Sequence, residues 1–327
     1  MTTAELDEAL SAMARKDTDA LVLGREANAR TISGANRLWI AGTRAFAPGC
    51  VVVRSERAVH LLANSDAGFE GFPRDHLFPL TWNPERLFAS LLAIPGLTDA
   101  RTVGVDGMSP GMHALLRALL PQARLVDAGP IIAELWALQS PERVDAVHEA
   151  ARVACSGLAA MAAFLRDGVR ARVLRGVCAE RLASLGVTTP AFEAVAAPID
   201  GGASTWLPPE RLLGSGESVA LRAGALLDGW EASLARTYVV GEPSEEQLPP
   251  VGWDEALALC RPTTYVGQLR DLEAVIYGVG RGVEPYDDNV QLRAGMVCAL
   301  ELHRGNRLHQ DTLHVTDGAP TIFTADA

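Results

Sequence analysis

In the stretch VALRAGALLDGWEASLART (219–237), Asp228-Gly229 joins two apolar runs, the strongest short-range signal for a β-hairpin. Arg222 falls in the first run and Ser233 in the second, eleven residues later. A guanidinium inside a strand that otherwise reads as core needs a carboxylate, because a buried charge must be paired. A second gathering of reactive side chains is ELHRGNRLHQDTLH (301–314). Strand alternation puts Glu301 and His303 on one face and turns His309 and Asp311 away from Gln310. His303 is a general-base candidate, since an imidazole titrates near neutrality. A third is IYGVGRGVEP (276–285), where Arg281 and Glu284 stand in a glycine-rich turn able to line a pocket. Tyr277 there reads either as a hydrogen-bonded filler or as a general acid. The GVGRG run lacks the lysine of a phosphate loop and is read as a tight turn. Trp206 and Trp230 read as core or as an apolar, cation-binding wall. Glu231 reads as exposed or as facing the same site.

The elements that must position these residues fall into two domains, as a chain of 327 residues requires. Strands at 19–24, 49–55, 58–64, 102–107 and 123–129 alternate with helices at 3–16, 25–32 and 110–120, an α/β domain over 1–130. The segment 68–85, rich in Gly, Pro and aromatic residues, reads as a loop. From 131 to 327 the pattern is two helices, the first opened by Ser140-Pro141, followed by a largely antiparallel sheet. Helices at 252–260 and 266–275 are inserted in it.

Composition narrows the function. Apolar residues are 48% and charged residues 21%, a globular balance. A net charge of −11 argues against a nucleic-acid partner. Lys16 is the sole lysine, which confines any Schiff-base chemistry to the first helix. Cys50, Cys155, Cys178, Cys260 and Cys298 are scattered with no CxxC pair, so no disulfide framework is expected. No apolar run reaches eighteen residues and the first helix carries acids, which predicts a cytoplasmic protein with no membrane partner.

The order of motifs then carries a resemblance. GALLDGWEASLARTYVVGEPSEEQ, LRAGMVCALEL (292–302) and DTLHVTDGAPTIFT (311–324) resemble the signature segments of the creatinase, prolidase and aminopeptidase P family, whose catalytic domain is the pita-bread fold. DALVLGREANARTISGANRLWIAG resembles that family's N-terminal domain, so the resemblance covers almost the whole chain. It implies an α/β N-terminal domain and an α+β pita-bread domain with a curved antiparallel sheet flanked by helices. It also implies a homodimer.

In that family two aspartates of a hairpin, a histidine and two glutamates hold a pair of divalent metals. The corresponding positions here are Arg222, Ser233, Tyr277, Glu301 and Gln310, and a further substrate histidine corresponds to Trp206. One ligand type in five is retained, and no histidine lies between His148 and His303. A guanidinium at the centre of such a site repels a dication. The expectation is a chain with no metal and no cofactor, acting on a small polar or zwitterionic molecule by hydrolysis, elimination or cyclisation at a carbonyl or C–N centre. Arg222 would be the electrostatic anchor, Glu301 the acid/base and Tyr277 or His303 the proton-transfer partner. Trp206, Ser233, Arg281, Glu284 and Gln310 would line the substrate site. Two other readings stand beside it: a non-catalytic binding protein that kept the fold, and a peptidase with a rearranged metal site built on Glu301, His303 and His309.

Overall fold

The structure is a computed structural model describing residues 3–33, 49–63, 72–79, 81, 83–137, 140–187, 191, 194–200, 203–204, 210, 212–279 and 284–325. The chain divides into two compact units, Met1–Trp136 and Ala137–Ala327.

The first unit runs α1 (Thr3–Arg15), β1 (Ala20–Leu23), α2 (Glu26–Ser33), β2 (Cys50–Val53), β3 (Ala58–Ala63), β4 (Leu77–Pro79), α3 (Pro84–Leu92), β5 (Thr102–Asp106), α4 (Pro110–Leu119), β6 (Arg124–Asp127) and α5 (Gly129–Ala137). Its sheet has the order β4-β3-β2-β1-β5-β6. The central strand β1 is apolar at every position because helices cover both faces. Leu21 and Leu23 meet Met13, Ile32 and Ile131 on one side. Ala20 and Val22 meet Leu87, Leu91 and Leu116 on the other. Asn83 and Ser109 cap α3 and α4, each followed by proline at the first helical turn.

The second unit runs α6 (Pro141–Phe164), α7 (Ala171–Ser184), β7 (Val195–Asp200), β8 (Ala203–Ser204), β9 (Ser218–Leu227), β10 (Trp230–Val239), β11 (Glu245–Glu246), α8 (Trp253–Leu259), α9 (Val266–Arg270), β12 (Ala274–Gly278), β13 (Glu284–Pro285), β14 (Val297–Arg304), β15 (Arg307–His314) and β16 (Thr321–Ile322). The antiparallel sheet has the order β13-β12-β14-β15-β10-β9-β7-β8. Helices bury one of its faces. Leu158, Met161 and Leu174 lie against Leu221, Ala223 and Leu234. Trp253 and Leu269 lie against Ile276, Leu300, Leu302 and Leu313. The alternate residues of the same strands point to the other face, and they include Arg222, Ser233, Glu301 and Gln310.

The structure departs from the sequence reading in three places. A boundary at 130 falls inside α5, which continues to Ala137. The segment read as a loop at 68–85 holds β4, a three-residue strand fixed by parallel pairing to β3, and the start of α3. The helix expected over 266–275 ends at Arg270; Glu273 takes a left-handed φ of 63° and the chain turns into β12. Gly305 (φ 62°) closes a tight turn from β14 into β15, which begins at Arg307. Among the described residues no helix is long and apolar enough to cross a membrane.

Candidate functional site

The hairpin expected from Asp228-Gly229 is present: both residues have positive φ, 47° and 86°, and Leu227 faces Trp230 across the turn. These are the signs of the primed two-residue turn, whose twist matches that of the strands. From that turn the register is fixed. Arg222 faces Ala235, Ala235 faces Gln310, and Gln310 faces Glu301. One cross-strand row therefore carries Arg222, Ala235, Gln310 and Glu301 over four adjacent strands.

At ~4.8 Å per strand the two ends of that row lie about 14 Å apart along the backbone. Only long side chains can close such a gap, and the small Ala235 leaves room for the guanidinium to cross. Arg222 does so and forms an ion pair with Glu301. The pair is largely withdrawn from water, with side-chain exposures of 18% and 12%. Burial pushes the Arg222 guanidinium down to about 10, against the opposing influence of nearby Tyr277. Tyr277 on β12 faces Ala299, the residue two before Glu301. His303 follows Glu301 by two residues on the same face, and its Nε2 is buried with no hydrogen-bond partner.

Gln310 is buried, and its amide Nε2 donates to Ser233 Oγ at 2.8 Å. Its Oε1 is buried without a partner. Ser233 is held in turn: its backbone N–H donates to Thr312 Oγ1 at 3.1 Å, and that hydroxyl donates to the Ser233 carbonyl at 2.8 Å. The structure thus brings together Arg222, Glu301, Ser233 and Gln310, with Tyr277 and His303 on the same face. Trp206 and Arg281 lie outside the described residues. Glu284 lies in β13, which pairs with β12 at Gly278, and only its backbone is described.

One member of this face, Glu231, was left open by the sequence and is 7% exposed. Burial alone raises its carboxyl from an ordinary glutamate value to about 7. Alternation along β10 puts it on the face of Ser233, two residues nearer the turn.

The opposite face of the same strands carries a different charge cluster. Arg236 Nη2 donates to Asp311 Oδ1 at 2.6 Å and to the Thr324 carbonyl at 2.8 Å, and Arg236 Nη1 donates to the Gln310 carbonyl at 2.7 Å. Thr324 Oγ1 donates to Asp311 Oδ1 at 2.6 Å, and His309 Nε2 lies 3.0 Å from Asp311 Oδ2. Trp253 packs edge-on over the His309 ring. Burial raises the Asp311 carboxyl, but the His309 hydrogen bond and the Arg236 charge outweigh it and hold it below the usual range. The sequence signal for this cluster was alternation: His309 and Asp311 were expected to face away from Gln310, and they do. Their partner Arg236 was not anticipated.

Among the described residues no group of three or more His, Cys, Asp or Glu is arranged to hold a metal ion.

A sheet of this order with helices on one face, preceded by a mixed α/β domain, is the architecture of the pita-bread enzymes. Comparison with known proteins agrees. The Creatinase/Prolidase N-terminal domain matches residues 6–135, and Metallopeptidase family M24 matches residues 145–270. The chain belongs to the creatinase/prolidase/M24 family. An uncharacterized peptidase of Bacillus subtilis is 26% identical over 145 residues, which span 43% of this chain and 40% of that protein. A Xaa-Pro dipeptidase of Pyrococcus horikoshii is 21% identical over 322 residues, 88% of this chain and 86% of its own. The crystal structure of a prolidase from Pyrococcus horikoshii OT3 superposes with a TM-score of 0.78 at 17% identity, over 99% of both chains.

Proposed function

We propose that this protein is a metal-independent enzyme of the prolidase fold, acting in the cytoplasm as a homodimer on a small zwitterionic molecule. The reaction is hydrolysis, elimination or cyclisation at a carbonyl or C–N centre. The observation that carries the reading is the Arg222–Glu301 ion pair. A divalent metal pair needs several anionic oxygens and usually an imidazole. Of the five positions where the family places its ligands, Glu301 alone retains a ligand type, and a guanidinium already neutralises it. The residues present do not fit the metal pair.

A guanidinium can do part of what such metals do. It offers a fixed positive charge and a planar fork of donors that binds a carboxylate or stabilises an oxyanion. In this reading Arg222 exchanges Glu301 for the anionic group of the substrate. Tyr277 and His303 stand on the same face to give and take protons. Ser233 and Gln310, with Trp206, Arg281 and Glu284 from the neighbouring segments, line the substrate site.

The names of the relatives favour a second reading, cleavage of Xaa-Pro dipeptides. Elemental mass spectrometry separates the two, on protein purified without chelator or metal-affinity resin. The first reading expects well under one metal per chain. It also expects turnover of some member of a panel of small amides, lactams and betaines that survives chelation and is lost in Arg222→Ala. Near-stoichiometric metal with chelator-sensitive Xaa-Pro cleavage establishes the second. The homodimer comes from the family resemblance, and light scattering at micromolar concentration tests it.

A further inference from the structure

We propose that the line between β10 and β15 is a hinge across the sheet and that the Arg222–Glu301 ion pair is its latch, released when an anionic ligand takes Arg222. The hinge stands on the strand pairing alone; its release by a ligand rests on the reading above.

Among the described residues, β10 and β15 share one residue pair, Ala235 with Gln310. On either side of this line the pairing is continuous: β10 pairs β9 from Trp230 to Val239, and β15 pairs β14 from Arg307 to His314. Two residues from the shared pair, in each direction, a threonine hydroxyl stands in for the opposing backbone. Thr312 Oγ1 accepts from the Ser233 N–H at 3.1 Å and donates to the Ser233 carbonyl at 2.8 Å. Thr237 Oγ1 accepts from the Leu308 N–H at 2.8 Å and donates to the Leu308 carbonyl at 2.9 Å.

Each threonine has its own backbone turned to an inserted segment. The Thr312 carbonyl accepts from the Phe323 N–H and the Thr312 N–H donates to Thr324 Oγ1, next to the pairing of β15 with β16. The Thr237 carbonyl accepts from the Gln247 N–H, next to the pairing of β10 with β11. The two strands therefore fork at both ends, and β16 and β11 occupy the forks. A backbone ladder fixes the spacing of strands at ~4.8 Å, bond by bond. A hydroxyl rotates and carries both bonds through one atom, so it follows a change of spacing that a ladder resists. The pair Ala235–Gln310 is then the fixed point between two continuous halves, β7 to β11 and β12 to β16.

The bridges over this line differ between the faces. On the helix-covered face Arg236 of β10 holds Asp311 and the Gln310 carbonyl of β15, and the Thr324 carbonyl beside them. On the other face, apart from the threonines, the bridges are side chain to side chain. Gln310 Nε2 donates to Ser233 Oγ at 2.8 Å, and Arg222 on β9 meets Glu301 on β14 over the width of four strands. Loss of the ion pair frees the halves to part on this face while Arg236 keeps the covered face closed.

The test is hydrogen–deuterium exchange mass spectrometry with single-residue fragmentation, on the full chain. In Arg222→Met with Glu301→Leu, the Ser233 and Leu308 amides are expected to exchange about tenfold or more faster, with amides inside the β9–β10 and β14–β15 ladders unchanged. Saturating sodium butyrate is expected to speed the same two amides several-fold in the wild type, against sodium chloride at equal ionic strength. Equal rates in wild type and double variant overturn the hinge, and so does a rise shared by the ladder amides, which reports lost global stability. A double variant that opens beside a wild type unmoved by butyrate upholds the hinge and overturns its release by an anion, together with the exchange of Glu301 assumed in the reading above.

Discussion

Two arginine–carboxylate pairs sit on opposite faces of the same sheet, one residue out of phase. Arg236 and Asp311 belong to the face covered by helices, and Arg222 and Glu301 to the other. The first pair is surrounded by partners: His309 and Thr324 meet the carboxylate of Asp311, and the carbonyls of Ala235, Gln310 and Thr324 accept from Arg236. The second pair has beside it buried polar atoms that nothing in the fold satisfies, namely Gln310 Oε1 and His303 Nε2. The same two side-chain types thus serve different ends. A completed network holds the sheet and its C-terminal segment together. An incomplete one leaves hydrogen-bonding capacity for a ligand.

The largest effect expected from this contrast is on stability. Asp311→Ala strands a buried guanidinium and is predicted to cost ~3–5 kcal/mol in urea unfolding. A loss below 1 kcal/mol would remove the structural assignment of the covered face.

Next come two groups of similar burial whose pH effects have opposite signs. Glu231 binds its proton more tightly folded than unfolded, its carboxyl moving from 4.5 to about 7. Folded protein therefore holds more protons over that window, and stability falls as pH rises through it, by about 3 kcal/mol. Glu231→Leu should remove that fall and raise stability at pH 8. His60, in the first unit, is the reverse. It is buried between His76 and Phe78, both of its ring nitrogens lack partners, and burial lowers it from 6.5 to about 4. Unfolded protein holds more protons between those values, so stability falls as pH drops from 6.5 to 4, again by about 3 kcal/mol. The two slopes oppose each other where they overlap. Urea unfolding across pH 4.5–8 should show the Glu231 slope alone in His60→Phe and the His60 slope alone in Glu231→Leu. Parallel profiles in the two variants would contradict both assignments.

Much of this was legible in the sequence because it depended on period-two alternation anchored at one turn. Asp228-Gly229 fixed the hairpin, and with it the placement of Arg222 and Ser233; the same alternation put Glu301 and His303 together. What was not legible depended on partners far apart in the chain. Arg236 meets Asp311 across 75 residues, and no local pattern marks that encounter. Glu231 stands two residues from a polar turn, where exposure was as good a reading as burial until the register was known. The short strand β4 has a loop's composition and becomes a strand only because β3 offers it an edge. The site residues were readable as a set of types at positions. Which of them would be left without partners was not.

The smallest effect is the most discriminating for the face of Arg222 and Glu301. If the Arg222–Glu301 pair serves a ligand rather than the fold, replacing both partners by apolar side chains should leave stability nearly unchanged. A buried ion pair gains in Coulomb energy little more than it loses in desolvation, so Arg222→Met with Glu301→Leu is predicted to lie within ~1 kcal/mol of wild type in urea unfolding. Each single change should cost more, because it leaves one buried charge without its counterion. Parallel double replacement of Arg236 and Asp311 should not be neutral. Those side chains also hold the Thr324 hydroxyl and carbonyl, the Gln310 carbonyl and the His309 ring, and all of these would lose their partners. Equal costs for the two double variants would mean that both faces are structural, and that the groups without partners around Glu301 are incidental to any ligand.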